Sequence, residues 1–166
     1  MTPFILSHPE VVDELSFITS EPLDMVGLLA KAHHPRAGAV VLFSGDVRNH
    51  SNGKNVAYLE YEAQESMASK MIGAIVEEAK RKWQLTIALA IHRVGKVAVC
   101  ESAVVVITAS AHRQEAFVAN RYIIDKIKHE VPIWKCEYFE DGSKEWGGNC
   151  NCHAITGEVG KHVYEL

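Results

Sequence analysis

The order of its segments predicts that this chain folds as α+β: a mixed, largely antiparallel sheet covered by helices, in one domain over residues 1–146, with a small irregular C-terminal tail over 147–166. Three observations lead there. Apolar residues recur at helical spacing in two long stretches, while the segments between them alternate or run apolar as strands do. The succession strand, helix, two strands, helix, two strands, helix, strand mixes hairpin-length with crossover connections, unlike an alternating parallel α/β chain. A chain of 166 residues, 48% hydrophobic and 23% charged, is long enough for one domain burying roughly 70% of its unfolded surface.

Taken in order, 15–19 reads as a strand, and Ser20-Glu21-Pro22 as a helix start with Ser20 as the cap, the helix running to His33 before Pro35. The continuous apolar run 38–47 predicts a buried strand. Arg48-Asn49-His50-Ser51-Asn52-Gly53-Lys54 is a polar connection with turn chemistry, after which 56–62 alternates and is expected to pair with 38–47. Met67, Met71, Ile75 and Ala79 mark an amphipathic helix over 66–83 with its basic residues at the C-terminal end. Strands follow over 86–94 and 103–109, joined by a polar passage. Ser110 is the expected cap of a third helix with Phe117, Asn120, Ile124 and Ile127 on one stripe, and Ile133–Phe139 is the last strand. Beyond Asp141 the Gly/Asn-rich sequence predicts loop, free to move.

No apolar run approaches the ~18 residues of a membrane span, and the acidic residues near the N-terminus do not fit a secretory signal. A cytoplasmic location is expected, with Cys100, Cys136, Cys150 and Cys152 as free thiols. A net charge of −4 argues against a general nucleic-acid surface, so any anion site must be local.

Chemistry gathers where the third helix meets Pro132. The residue before a proline is pushed out of the α region, so the helix should stop near Val131. That sets Lys128 on the last helical turn and Lys135 three residues into the next strand, where the turn can fold both ammonium groups toward one pocket. Paired lysines suit an anionic substrate, and a buried lysine beside another cation loses its proton readily, which suits proton transfer or attack on an acyl group. The plainer reading is that these lysines, with Lys126, complement the helix dipole and stay solvated. Extending the third helix's stripe back one turn reaches Arg113, a charge on the expected buried face. The start Ser110-Ala111-His112-Arg113 could hold a phosphate or carboxylate, or Arg113 could meet an internal carboxylate, with His112 an ordinary cap. Arg48 stands where an apolar strand enters a polar loop, with His50 and Lys54 near it. Cys150-Asn151-Cys152-His153 and His162 lack the Cys-x₂₋₄-Cys spacing of structural zinc sites, so no metal is expected. No nucleotide loop, dinucleotide fingerprint or nucleophile elbow is present.

Together, the run from Gly38 to Arg48, Leu59-Glu60-Tyr61-Glu62-Ala63, Ile91-His92-Arg93-Val94-Gly95, Ser110-Ala111-His112-Arg113 and Pro132-Ile133-Trp134-Lys135 resemble the large, catalytic subunit of molybdopterin synthase, in order and spacing from about Ser16 to Trp146. The resemblance implies a sulfurtransferase without a metal or other cofactor. It implies a homodimer within a heterotetramer, each protomer binding a small ubiquitin-like sulfur carrier whose C-terminal Gly-Gly thiocarboxylate enters the site. Sulfur would pass to cyclic pyranopterin monophosphate to build the molybdopterin dithiolene. By motif, Lys128 and Lys135 match the catalytic lysines, and Arg48, His112 and Arg113 the residues that hold the substrate. Gln64, where a tyrosine is common, and Cys136, where a lysine often follows Trp-Lys, depart from the pattern outside these positions. A module that binds the carrier without catalysis is the competing expectation.

Overall fold

The computed structural model describes residues 15–148 and contains two sheets rather than the single one expected. The first has the order β1-β5-β7-β2, from β1 (Phe17–Thr19), β5 (Ile87–Arg93), β7 (Ser102–Ser110) and β2 (Ala39–Asp46). β1 lies parallel to β5 and the other pairings are antiparallel, which gives the mixed character read from the sequence. The second has the order β3-β4-β8-β9, from β3 (His50–Ser51), β4 (Lys54–Ala63), β8 (Ile133–Phe139) and β9 (Lys144–Gly148), with β6 (Gly95–Ala98) also paired to β4.

The expected pairing of 56–62 with 38–47 is therefore wrong. Asn52 and Gly53 both take positive φ, 49° and 76°, as a two-residue hairpin turn requires, so β4 folds back on β3. That frees β2 to pair with the equally apolar β7 from Ala39↔Ser110 to Asp46↔Ser102. β2 is half-buried instead of buried because it is the edge of its sheet.

α2 (Glu65–Trp83) and α3 (Arg113–Glu130) pack on the first sheet, and their buried faces join residues of both sheets in the main core. A smaller core on the opposite face holds Leu28 and Ala32 against Ile87, Leu89, Ile91, Val105 and Ile107. Leu28 belongs to α1 (Met25–Ala30), which starts later and ends sooner than expected. Asp24, not Ser20, caps it, accepting from the Gly27 amide at 3.0 Å, and the amides of Lys31 and Ala32 close the helix with bonds three residues back.

α3 begins after His112 rather than Ser110, and its buried stripe is Ala116, Ala119, Asn120, Tyr122, Ile123, Ile124 and Ile127. Two alanines let the helix approach the sheet closely. Asn120 Nδ2 donates to the carbonyls of Val41 and Val106, both at 3.1 Å, and the Thr108 hydroxyl to that of Ala116 at 2.7 Å. Phe117 lies off this stripe and is 61% exposed. β9 occupies part of the expected loop: Gly142, at φ 84°, and the Asp141 side chain, accepting from the Ser143 amide at 2.8 Å, turn the chain back onto β8. The rest of the tail, with Cys150, Cys152, His153 and His162, lies outside the described residues.

Candidate active site

α3 stops at Val131, whose backbone is extended at φ −78° and ψ 132°, and β8 starts two residues later, as Pro132 dictates. Lys128 is half-buried in the last helical turn. Burial first, and the Lys135 ammonium second, push its pKa down from 10.5 to about 8. The two lysines thus share one region, and Lys128 can exist as either amine or ammonium near neutral pH. Lys126, two residues earlier, is not the solvated lysine expected: it reaches back to Glu78 on α2 at 3.3 Å.

Lys135 faces inward from β8 with only 16% of its side chain exposed. Its Nζ lies 3.2 Å from Glu137 Oε1, and Glu137 Oε2 accepts a hydrogen bond from the Ser51 hydroxyl at 3.0 Å. Lys135 and Glu137 share a face because side chains two apart on a strand point the same way. Tyr61, opposite Lys135 in the β4–β8 register, is on that face too, its hydroxyl pushed up to about 12 by burial and by the Glu137 charge. The His92 ring stands edge-on to it at 5.1 Å, and His92 Nδ1 donates to the Arg93 carbonyl at 2.8 Å.

These four residues were not singled out from the sequence. The period of two along β8 was signal enough for Glu137. Ser51, Tyr61 and His92 carry no such signal, because strand pairing places them.

Arg48 is exposed, two residues beyond β2 and next to the hairpin that carries Ser51. α3 runs back over the first sheet, with Ala116 bonded to Thr108 and Asn120 to Val106, so its C-terminal end comes over the end of the sheet where β2 finishes and Arg48 begins the loop. Arg48, Lys128 and Lys135 therefore lie toward one end of the molecule.

His112 and Arg113 do not join them. They start α3, fifteen residues before Lys128, a separation of about 22 Å at the helical rise. Both are exposed, so Arg113 is neither on a buried face nor paired inside the core as the sequence reading allowed; it shares the outer face with Phe117. Convergence of Arg113 with Arg48 within one chain, implied by grouping them as one substrate site, is thus corrected: they sit beyond opposite ends of β2. The turn holding His112 is tightly fixed. The Gly38 amide donates to the Ser110 carbonyl at 2.9 Å, and a Cβ on Gly38 would come within 2.3 Å of the Ala111 oxygen.

A half-buried lysine with a depressed pKa, beside a second lysine held by a buried carboxylate and an arginine on the adjoining loop, defines a site for an anionic reactant and for proton or acyl transfer. The chain belongs to the MoaE protein family, whose model matches residues 18–130. It is 44% identical over 129 residues to the molybdopterin synthase catalytic subunit of Thermoplasma volcanium, covering 78% of this chain and 94% of that one. Against the catalytic subunit of Bacillus subtilis strain 168 it is 42% identical over 132 residues, 80% and 83% of the two chains. The crystal structure of molybdopterin synthase from Staphylococcus aureus matches with a TM-score of 0.76 at 38% identity, over 81% of this chain and 97% of that one. A complex of subunits 1 and 2 of the molybdopterin-converting factor from Helicobacter pylori shares the fold, with a TM-score of 0.67 at 22% identity, covering 80% of this chain and 90% of that one.

Proposed function

We propose that this chain is a molybdopterin synthase catalytic subunit, moving sulfur from the C-terminal thiocarboxylate of a small ubiquitin-like carrier to cyclic pyranopterin monophosphate to form the dithiolene. The observation that carries the reading is the lysine pair at the α3–β8 junction, found in a chain more than 40% identical to proteins of that name. A reaction between a thiocarboxylate and a phosphorylated substrate accumulates negative charge, and two ammonium groups in a half-buried pocket stabilise it more than they would in water. Lys135, anchored by Glu137, supplies fixed positive charge. Lys128, at about 8, can also give or take a proton as sulfur attacks the substrate and as water then cleaves the acyl–sulfur bond, releasing the carrier as a carboxylate.

Arg48 lies toward the same end of the molecule as the lysine pair, whereas His112 and Arg113 stand about 22 Å along α3 from Lys128. All three are assigned to substrate binding. A homodimer that sets 112–113 of one protomer against the lysine pair of the other would unite them, and that is the assembly proposed, with one carrier bound per protomer as a heterotetramer. The proposed location is the cytoplasm, where Cys100 and Cys136, both free here, remain thiols. No helix among the described residues is long and apolar enough to cross a membrane.

The test is reconstitution: purified chain, thiocarboxylated carrier and pyranopterin substrate should yield the dithiolene product. Carrier binding without product would make the chain a binding module instead.

A further inference from the structure

We propose that Ser51 is a positioning residue for the transfer reaction: its hydroxyl clamps Glu137, and Glu137 in turn fixes the ammonium group of Lys135. The inference rests on the function proposed above and concerns how that site is held.

Ser51 is 3% exposed although its hairpin neighbours His50, Asn52 and Gly53 are all exposed. A strand of two residues, β3, turns this one side chain inward, and its hydroxyl crosses to a strand 86 residues away to meet Glu137 Oε2 at 3.0 Å. Glu137 is itself 8% exposed and holds Lys135 through its other oxygen at 3.2 Å. Each carboxylate oxygen thus has one defined partner, and the plane of the carboxylate is set from both sides. Without the hydroxyl, Glu137 can rotate about its last side-chain torsion, which is broad and soft, and Lys135 loses the fixed point against which its four-carbon stem is stretched. The same bond ties the hairpin following Arg48 to the strand that bears Lys135, so the substrate-facing loop and the lysine hold a common register.

The backbone does not need this hydroxyl. The hairpin is closed by its His50↔Asn55 and Ser51↔Lys54 pairs and by the Val56 amide on the Asn49 carbonyl at 2.9 Å. Loss of the hydroxyl should therefore change the reaction more than the fold.

The test uses the reconstituted synthase with Ser51→Ala, Ser51→Thr, Glu137→Gln and the Ser51→Ala/Glu137→Gln double variant. Misplacing a catalytic group by a fraction of an ångström costs on the order of 10-fold in rate. Ser51→Ala should show that loss in kcat, with KM and carrier affinity within about 2-fold of wild type. Ser51→Thr, which restores the hydroxyl, should recover the rate. In the Glu137→Gln background, Ser51→Ala should cost little more, because the two residues act in series. An unchanged kcat in Ser51→Ala, a loss that threonine does not repair, or fully additive losses would each overturn the proposal.

Failure of the wild-type protein to make dithiolene would instead count against the proposed function. In that event the clamp is read directly, from the mobility of the Lys135 Cε group by NMR relaxation in ¹³C-lysine-labelled protein. Mobility that rises in Ser51→Ala and returns to wild type in Ser51→Thr supports it, and equal mobility in all three proteins overturns it.

Discussion

Lys126 and Glu78 meet at 3.3 Å across the gap between α3 and α2, two residues before the lysine assigned to chemistry. Lys126 also pairs with Glu130 at 3.5 Å and lies 5.3 Å from the Tyr122 ring, and hydrogen bonds to Tyr122 and then Glu78 raise its pKa. Two lysines on one helical turn thus move in opposite directions, Lys126 up and Lys128 down, because one bonds the Tyr122 side chain and then Glu78 while the other is buried beside a cation.

That contrast predicts different mutational behaviour. Lys128→Ala and Lys135→Ala should each lower dithiolene formation by at least ~100-fold, about 2.7 kcal/mol of barrier, in protein that still folds. Lys126→Ala should leave turnover near normal and cost at most about 1 kcal/mol of stability, since its ion pairs are partly exposed. Reconstituted turnover and urea midpoints, measured side by side, check both. Equal rate losses at all three positions would reduce the site to general charge balance.

Lys128 also predicts a pH dependence of stability. Its pKa is about 8 in the fold and near 10.5 in the unfolded chain, so between those values the unfolded chain binds the extra proton. Its unfavourable contribution is complete below about pH 8 and disappears as pH rises toward 10.5. Lys128→Met should therefore stabilise the protein most at neutral pH, with the gain shrinking across that window. Denaturant titrations from pH 7 to 10.5 test this, and a gain independent of pH would show that Lys128 is not depressed.

Arg113→Ala should raise KM for the pterin substrate while leaving carrier affinity within about 2-fold, because an exposed guanidinium beside the free N–H groups of a helix start suits the substrate's phosphate. Steady-state kinetics and carrier titration by calorimetry separate the two. Comparable loss of both would assign Arg113 to the carrier or to assembly.

Asn120→Ala should destabilise the fold by about 1–3 kcal/mol, since it strips the side-chain donor from the Val41 and Val106 carbonyls at once. Activity per folded molecule should persist. A thermal or urea midpoint equal to wild type would mean that water replaces the amide without loss.

Much of this arrangement was legible locally. Pro132 announced the end of α3 and the start of β8, and the strand runs from Ile133 to Phe139 as read. Asn52-Gly53 announced its hairpin. What local pattern could not supply was pairing: nothing within 56–62 says that β8 and β6, rather than β2, lie beside it. On α3 the expected stripe was right at Asn120, Ile124 and Ile127, which are buried, and wrong at Phe117, which is exposed. The bulk of Phe117 drew it into the stripe, although the helix meets the sheet one residue earlier, where Ala116 and Ala119 allow close approach. The lysines were readable because a proline fixes their relation in sequence. Ser51 was not, because its relation to Glu137 exists only through the pairing of distant strands.

The junction at Val131-Pro132 has a last consequence, for insertions and deletions. Helix and strand meet there without spare residues, the Ile133 amide already bonding back to the Val131 carbonyl at 2.8 Å. Side chains along β8 alternate between the face of Lys135 and Glu137 and the opposite face, where Trp134 is 48% exposed and Cys136 is buried. Removing or adding one residue in this link would exchange those faces if the strand kept its pairing, sending the tryptophan inward and the ammonium out. Substitutions at the junction are thus a matter of degree, whereas a change in its length by one is all or none. Among homologous chains this segment should vary in composition while keeping the count between the two lysines constant.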